Sequence, residues 1–184
     1  MCEIHAPVAV LSAGIQRDGR CRRSRAAAKL MPHGADSGNR LQLRGYRDGK
    51  SVSAGRVLVV DDDALFRVLI TSLLSDAGFE VCGEAADGET AVLLAKTLRP
   101  DVITMDIEMP ILDGLSATRR IAALDLAPVI VVSGSPPLRG SDLAVAAGAC
   151  CHVPKTALDW ALPVAVQFIA ELNRAPSVEQ RRSR

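Results

Sequence analysis

The chain has 184 residues, 48% hydrophobic but only 3% aromatic, with a formal net charge of +1. This size and apolar content exclude a disordered polymer and leave one ordinary domain with extensions, its core built of Val, Leu, Ile and Ala. The near-neutral total hides a segregation: ten Lys+Arg against four Asp+Glu in residues 1–54 (+6), then twelve against seventeen in the remainder (−5). No run of 18 apolar residues exists, so no membrane span is expected. The mildly apolar stretch 6–15 follows Glu3 rather than a basic segment and is not read as a signal peptide.

Cys2, Cys21, Cys82, Cys150 and Cys151 form no C-x-x-C pair and no ligand spacing with His5, His33 or His152. Cys82 and Cys150 lie in apolar, strand-like stretches and read as small core residues. Reduced thiols suit the cytosol, so a cytoplasmic location is expected.

Residues 1–54 show no sustained period and hold five arginines within 17–25. They are expected to be a basic, disordered extension rather than a nucleic-acid-binding element. From Arg56 onward strand and helix patterns alternate. The first strand is expected at 57–60. A helix over about 64–77 follows, with Leu65, Val68, Leu69, Ser72 and Leu73 as its apolar face and Gly78 as its stop. A strand at 79–83 leads to a helix after Asp87-Gly88, apolar at Ala91, Leu94, Ala95 and Leu98, that halts before Pro100. The third strand is 102–105, and a helix carrying Leu115, Ile121 and Leu124 follows Asp113-Gly114. Then come a strand at 129–132, a short helix near 142–147, a strand at 150–153 and a helix over 158–173. Pro163 fits that last helix best if its first regular turn begins near Asp159 or later. Residues 175–184 are a polar tail.

Five β/α units imply an α/β fold: a doubly wound, five-stranded parallel sheet with right-handed crossovers and helices on both faces. The domain is expected over 55–174. No helix-turn-helix or other DNA-binding module remains once these units are assigned.

Val57-Leu58-Val59-Val60 runs straight into Asp61, Asp62 and Asp63, and Val102-Ile103-Thr104-Met105 runs into Asp106. Strands buried on both faces read as such apolar runs, and ligands collect at their carboxyl ends. If the two are neighbours, their trailing carboxylates converge and repel unless a cation compensates. A hard divalent metal with oxygen ligands meets that need. Ser133 and Lys155 trail the fourth and fifth strands into the same crevice. Asp63 reads instead as a helix N-cap.

These residues resemble the receiver domains of two-component response regulators. The resemblance covers about 56–174 and rests on Val-Val-Asp61-Asp62-Asp63-Ala-Leu-Phe-Arg67, the block from Asp101 through Asp106-Ile-Glu-Met-Pro110-Ile-Leu-Asp-Gly114, Pro128-Val-Ile-Val-Val-Ser133, and Gly148-Ala-Cys-Cys-His-Val-Pro-Lys155. It implies a flavodoxin-like strand order 2-1-3-4-5. It also implies that Asp106 accepts a phosphoryl group from a phosphohistidine on a sensor histidine kinase or histidine phosphotransfer protein. Mg²⁺ would be held by Asp62, Asp106 and the Glu108 backbone carbonyl, with Asp61 acting through a water. Lys155 and Ser133 would hold phosphoryl oxygens, and His152 would reorient when Ser133 engages phosphate. Glu108 would influence the lifetime of the phosphoryl group. One departure is Pro154-Lys155-Thr156, where the family usually places proline after the lysine.

The loop over 134–140, the short helix after it and His152 would form the switch. The last strand and its flanking helices would meet an output protein or a second copy of the chain. The Asp-Ile-Glu-Met-Pro and Val-Val-Ser-Gly-Ser segments are closest in flavour to the receiver half of chemotaxis methylesterases. An esterase domain or a transcription-factor output is not expected, and the chain reads as a stand-alone receiver, not an enzyme. Alternatives are a haloacid-dehalogenase-type phosphatase, which lacks its acidic pair after Lys155, and a phosphorylation-independent scaffold.

Overall fold

The five expected strands all form and pair in parallel. A computed structural model of the chain describes residues 13–15, 21–23, 54–134 and 137–174, with side chains over 54–134 and 141–173. In the basic N-terminal stretch β1 (Ala13–Ile15) pairs antiparallel with β2 (Cys21–Arg23), a short ladder the sequence pattern did not announce. The other expectations for 1–53 and the tail after 174 lie outside the described residues, as do residues 135 and 136; the expected 134–140 loop is corrected, since 137–140 are helical.

The main sheet contains β3 (Arg56–Val60), β4 (Glu80–Ala85), β5 (Val102–Met105), β6 (Val129–Ser133) and β7 (Cys151–Pro154). Its order is β4-β3-β5-β6-β7, which is 2-1-3-4-5 when these five are numbered along the chain. Helices α1 (Ala64–Asp76), α2 (Gly88–Leu98), α3 (Gly114–Ala123), α4 (Pro137–Ala147) and α5 (Leu158–Arg174) make the connections, with a 3₁₀ turn at Lys155–Ala157 before α5. Strand side chains alternate between faces, and both faces are buried. Val57, Val59, Ile130 and Val132 pack with Ile70 and Leu74 of α1 and Leu162, Val166 and Ile169 of α5. Leu58, Val60, Ile103, Met105 and Val131 pack with Ala91, Ala95, Ala117, Ile121 and Ala144 of α2, α3 and α4.

Three expectations are corrected. Most of the expected apolar face of α1 points outward: Leu65 is 79% and Val68 66% exposed, Leu73 alone of that face packs against the core, and the buried residues are Ile70 and Leu74. This helix is apolar nearly all round, so periodicity alone leaves two candidate faces. Arg67 and Thr71 both reach Glu84 of β4, which fixes the rotation with Phe66, Ile70 and Leu74 toward the sheet. Cys82 is only partly buried because β4 is an edge strand, whereas Cys150 is core. Helix α4 begins at Pro137, five residues ahead of its apolar pattern; proline suits a first turn whose N–H groups are unpaired anyway. Helix α5 starts at Leu158, as expected, and runs through Pro163, which leaves the carbonyl of exposed Asp159 to water.

Three aspartates start the helices. Asp63 accepts from Leu65 N at 2.8 Å, Asp87 from Thr90 N at 2.8 Å and Asp113 from Ser116 N at 2.9 Å. The Thr90 amide and then its hydroxyl hold the Asp87 carboxyl below its ordinary value. A lowered folded-state pKa contributes stability above the unfolded value that is lost as pH falls through the folded one. Asp87→Ala is therefore expected to cost about 1 kcal/mol at neutral pH. The deficit should shrink in acid, below the ordinary 3.8. Urea unfolding of both proteins across that range checks it; a constant deficit would count against the cap.

Candidate functional site

The sheet register builds the acidic cluster. Val60 of β3 pairs with Met105 of β5, so the next residues, Asp61 and Asp106, leave adjacent strands side by side. Backbone bonds continue past the strand ends, from Asp106 N to Val60 O (2.9 Å) and from Asp61 N to Ala85 O (3.1 Å). Carboxylate oxygens of Asp61, Asp62 and Asp106 all lie within 4.8 Å of one another. Asp61 is 0% and Asp106 4% exposed, while Asp62 faces solvent.

Lys155, just past β7, reaches across the strand ends to both buried acids. Its Nζ is 2.7 Å from Asp61 Oδ2 and 3.0 Å from Asp106 Oδ1, and it stands 4.3 Å from the centre of the Phe66 ring. Burial pushes the Asp106 carboxyl above its ordinary value, against the opposing pull of Lys155. For Lys155 burial acts downward, yet the two carboxylates together outweigh it and raise the ammonium above its usual value. One cation thus serves two anions, and the pocket stays short of positive charge. Asp61 Oδ2 is buried and accepts no hydrogen bond of regular geometry beyond its ion pair. A set of three carboxylates, two of them buried, fits a hard divalent cation and suits neither a soft metal nor an organic cofactor.

The surrounding chain holds these groups in place. Asp61 Oδ1 accepts from Asp63 N and Asp106 Oδ2 from Glu108 N, both at 2.9 Å. Arg67 Nη1 donates to the carbonyls of Asp61 (2.8 Å) and Asp62 (3.2 Å), while its Nε pairs with Glu84 at 3.3 Å. Glu108 itself is exposed at the mouth. Gly114 closes the loop after Asp106: its N–H donates to Ile107 O at 2.9 Å, and an added Cβ would stand 1.6 Å from the Asp106 carbonyl oxygen. All described peptide bonds are trans, including that after Lys155.

The same loop carries a strained residue. Ile111 has φ +67°, and Leu112 N donates to Pro110 O at 2.7 Å, a γ-turn whose centre lies in the left-handed region. A β-branched residue there is disfavoured by about 1–2 kcal/mol. Ile111 is 83% exposed, so no packing compensates. Ile111→Gly is expected to raise stability by a few tenths to about 1 kcal/mol after the entropy of the added glycine is counted. Thermal unfolding checks this, and a lower midpoint would overturn it.

A second polar group adjoins the first. Ser133 ends β6, and its Oγ lies 3.0 Å from His152 Nε2; His152 Nδ1 lies 3.4 Å from Ser141 Oγ on α4. Ser133 and His152 are both buried, and burial lowers the imidazole pKa.

The structure thus brings Asp61, Asp62, Asp106 and Lys155 into one pocket and joins Ser133 to His152. The sequence reading assigned no role to Phe66, Arg67 or Ser141. Arg67 lies within a quoted motif, but its clamp on the Asp61 and Asp62 carbonyls depends on the start of a helix turning back over β3. Ser141 carries no sequence signal.

Comparison with known proteins gives a single direction. Residues 57–167 match the family model of the response regulator receiver domain. A protein-glutamate methylesterase/protein-glutamine glutaminase of Geobacter metallireducens is 45% identical over 104 residues, 54% of this chain and 30% of that protein. The transcriptional regulatory protein PdtaR of Mycobacterium tuberculosis is 40% identical over 86 residues, 47% of this chain and 42% of its own length. The chain therefore spans less than half of either relative. Among solved structures, the response regulator domain of Thermotoga maritima CheB superposes with TM-score 0.55 at 34% identity, covering 64% of this chain and 95% of that one. A CheX–CheY–BeF₃–Mg²⁺ complex from Borrelia burgdorferi gives 0.52 at 32% identity, over 54% and 77% of the two chains. Since the matched segment begins in β3 and runs into α5, enclosing every strand end that supplies the pocket, the chain belongs to the response regulator receiver domain family of two-component signalling.

Proposed function

We propose that this chain is a receiver that takes a phosphoryl group from a phosphohistidine onto Asp106 and so switches a protein interaction. The observation that carries the reading is Lys155 Nζ lying between Asp61 and Asp106, 2.7 and 3.0 Å away, in a pocket with more negative charge than it neutralises. An Asp106 carboxylate oxygen attacks phosphorus as the phosphorus–nitrogen bond to the donor imidazole breaks, and the imidazole keeps the bonding electrons. Asp106 is mostly buried, and Glu108 N holds its second oxygen, so the attacking oxygen is oriented before the donor arrives. Lys155 is then positioned to hold a phosphoryl oxygen, and Ser133 to donate its hydroxyl to another.

The three carboxylates fit Mg²⁺, the cation named with the Borrelia burgdorferi complex. Asp62, Asp106 and the Glu108 carbonyl would be its direct ligands and Asp61 a ligand through water. It would supply positive charge against the incoming phosphoryl oxygens. Glu108, exposed at the mouth, is the residue proposed to influence phosphoryl lifetime.

The donor is a sensor histidine kinase or histidine phosphotransfer protein. The output surface is β7 with α4 and α5. Exposed Trp160, Val164, Phe168 and Leu172 form a ridge at four-residue spacing along α5, and exposed Leu143 lies on α4. A second copy of the chain is a partner there upon phosphorylation, alongside an output protein. The cytoplasm is the proposed place of action; no described helix is long and apolar enough to cross a membrane. The phosphatase alternative leaves the Asp106–Lys155 contact without a role. Intact-mass measurement with acetyl phosphate and Mg²⁺ tests the proposal: one phosphoryl group per chain is expected, and turnover without a stable adduct would favour the phosphatase.

A further inference from the structure

We propose that Ser141 and His152 form a hydrogen-bond relay that positions Ser133 for the phosphoryl group and reports its arrival to α4. This inference rests on Asp106 being the phosphoacceptor. It replaces the reorientation of the His152 ring that the family resemblance implies with a ring that stays and reverses its bonding.

Register and packing place the three residues together. Val131 pairs with His152 and Ser133 with Pro154 in the β6–β7 ladder. Val131 points into the core under α2, α3 and α4, so Ser133, two residues on, shares that face. His152, as Val131's register partner, points the same way and meets α4 at Ser141. His152 is 4% and Ser133 2% exposed, so water does not readily compete for these bonds.

Proton accounting gives the relay its two states. A neutral imidazole has one N–H donor and one lone-pair acceptor, and each serine hydroxyl has one proton. In the first polarity Ser133 donates to Nε2 and Nδ1–H donates to Ser141 Oγ. The proton of Ser133 is then committed to His152. In the second, Ser141 donates to Nδ1 and Nε2–H donates to Ser133 Oγ, which frees the Ser133 proton for an outside acceptor. Only the second lets Ser133 donate to a phosphoryl oxygen on Asp106 while keeping its buried bond to His152. Leaving that buried imidazole nitrogen unpaired would be costly. Phosphorylation therefore favours the Nε2–H tautomer and requires the Ser141 hydroxyl to turn its proton toward Nδ1. Ser141 acts through His152, as a positioning residue, and the state of the pocket is written into a hydrogen bond on α4.

The test uses the full chain with ¹⁵N-labelled histidine, above the ordinary imidazole pKa at about pH 8, and long-range ¹H–¹⁵N spectra before and after beryllofluoride with Mg²⁺. His152→Gln identifies the His152 signals against those of His5 and His33. Bound beryllofluoride is followed separately by ¹⁹F resonance. On loading, His152 is expected to become the Nε2–H tautomer and to remain buried. Ser141→Ala should abolish that tautomer change and weaken beryllofluoride binding by about fivefold, the scale of one neutral hydrogen bond. Ser141→Thr, which keeps the hydroxyl, should retain both. A loaded protein whose His152 swings to solvent or keeps its free-state tautomer would overturn the relay and leave the phosphoacceptor reading intact. Equal affinities for wild type and Ser141→Ala would do the same. Absence of any ¹⁹F signal from bound beryllofluoride would overturn both.

Discussion

Asp106→Ala is expected to abolish the phosphoryl mass increment from acetyl phosphate and Mg²⁺, lowering the labelling rate by at least about a thousandfold, as removal of a nucleophile does. The reason is positional. Asp62 faces solvent and Asp61 is 0% exposed, whereas Asp106, 4% exposed, keeps access to the pocket with one oxygen 3.0 Å from Lys155. Asp106 follows the middle strand of the sheet, β5, next to β3, whose end carries Asp61 and Asp62, and it shares Lys155 with Asp61. A compensating adduct on Asp61 or Asp62 in the variant would show that the pocket, rather than this one residue, is the acceptor. Labelling at the wild-type rate would sink the proposed mechanism.

The second large effect belongs to Lys155. Lys155→Met removes the cation facing two buried acids, and breaking a buried ion pair costs about 3–5 kcal/mol. Its side chain is 17% exposed, so solvent screening places the loss toward the lower end of that range. The sign with pH follows from Asp106, whose folded-state pKa already lies above the ordinary 3.8 because of burial. A raised acid favours folding below the unfolded pKa, and that contribution is lost as pH rises through the folded value. Without Lys155 the acid is raised further, so the deficit should be largest at neutral pH and shrink in mildly acidic buffer. Millimolar Mg²⁺ should recover part of it by binding the folded state alone. Urea unfolding of wild type and variant, with Mg²⁺ and with chelator, checks both statements. A deficit indifferent to pH and to Mg²⁺ would mean that the loss comes from packing over Phe66.

The strands were the most legible part of the chain. Val57-Leu58-Val59-Val60 and Val102-Ile103-Thr104-Met105 are apolar at every position but Thr104, and only burial on both faces asks for that. Their trailing aspartates then located the pocket, because in a parallel sheet all carboxyl ends emerge on one edge. The core face of α1 was not legible. Leu65, Val68 and Leu69 are as apolar as Phe66, Ile70 and Leu74, and the choice between them rests on contacts from Arg67 and Thr71 to a strand thirteen or more residues away. Cys82 illustrates the same limit: a strand's sequence does not say whether it lies at an edge.

What the sequence determined by itself was therefore the sheet, its family resemblance and the identity of the charged residues at its rim, since these follow from local patterns of period two and from residue type. Tertiary structure decided the rest: Lys155 bridging Asp61 and Asp106, Arg67 clamping the Asp61 and Asp62 carbonyls, and His152 suspended between Ser133 and Ser141. The Lys155 and His152 contacts join elements distant in sequence, and even the short-range Arg67 clamp depends on a helix rotation that no local pattern encodes.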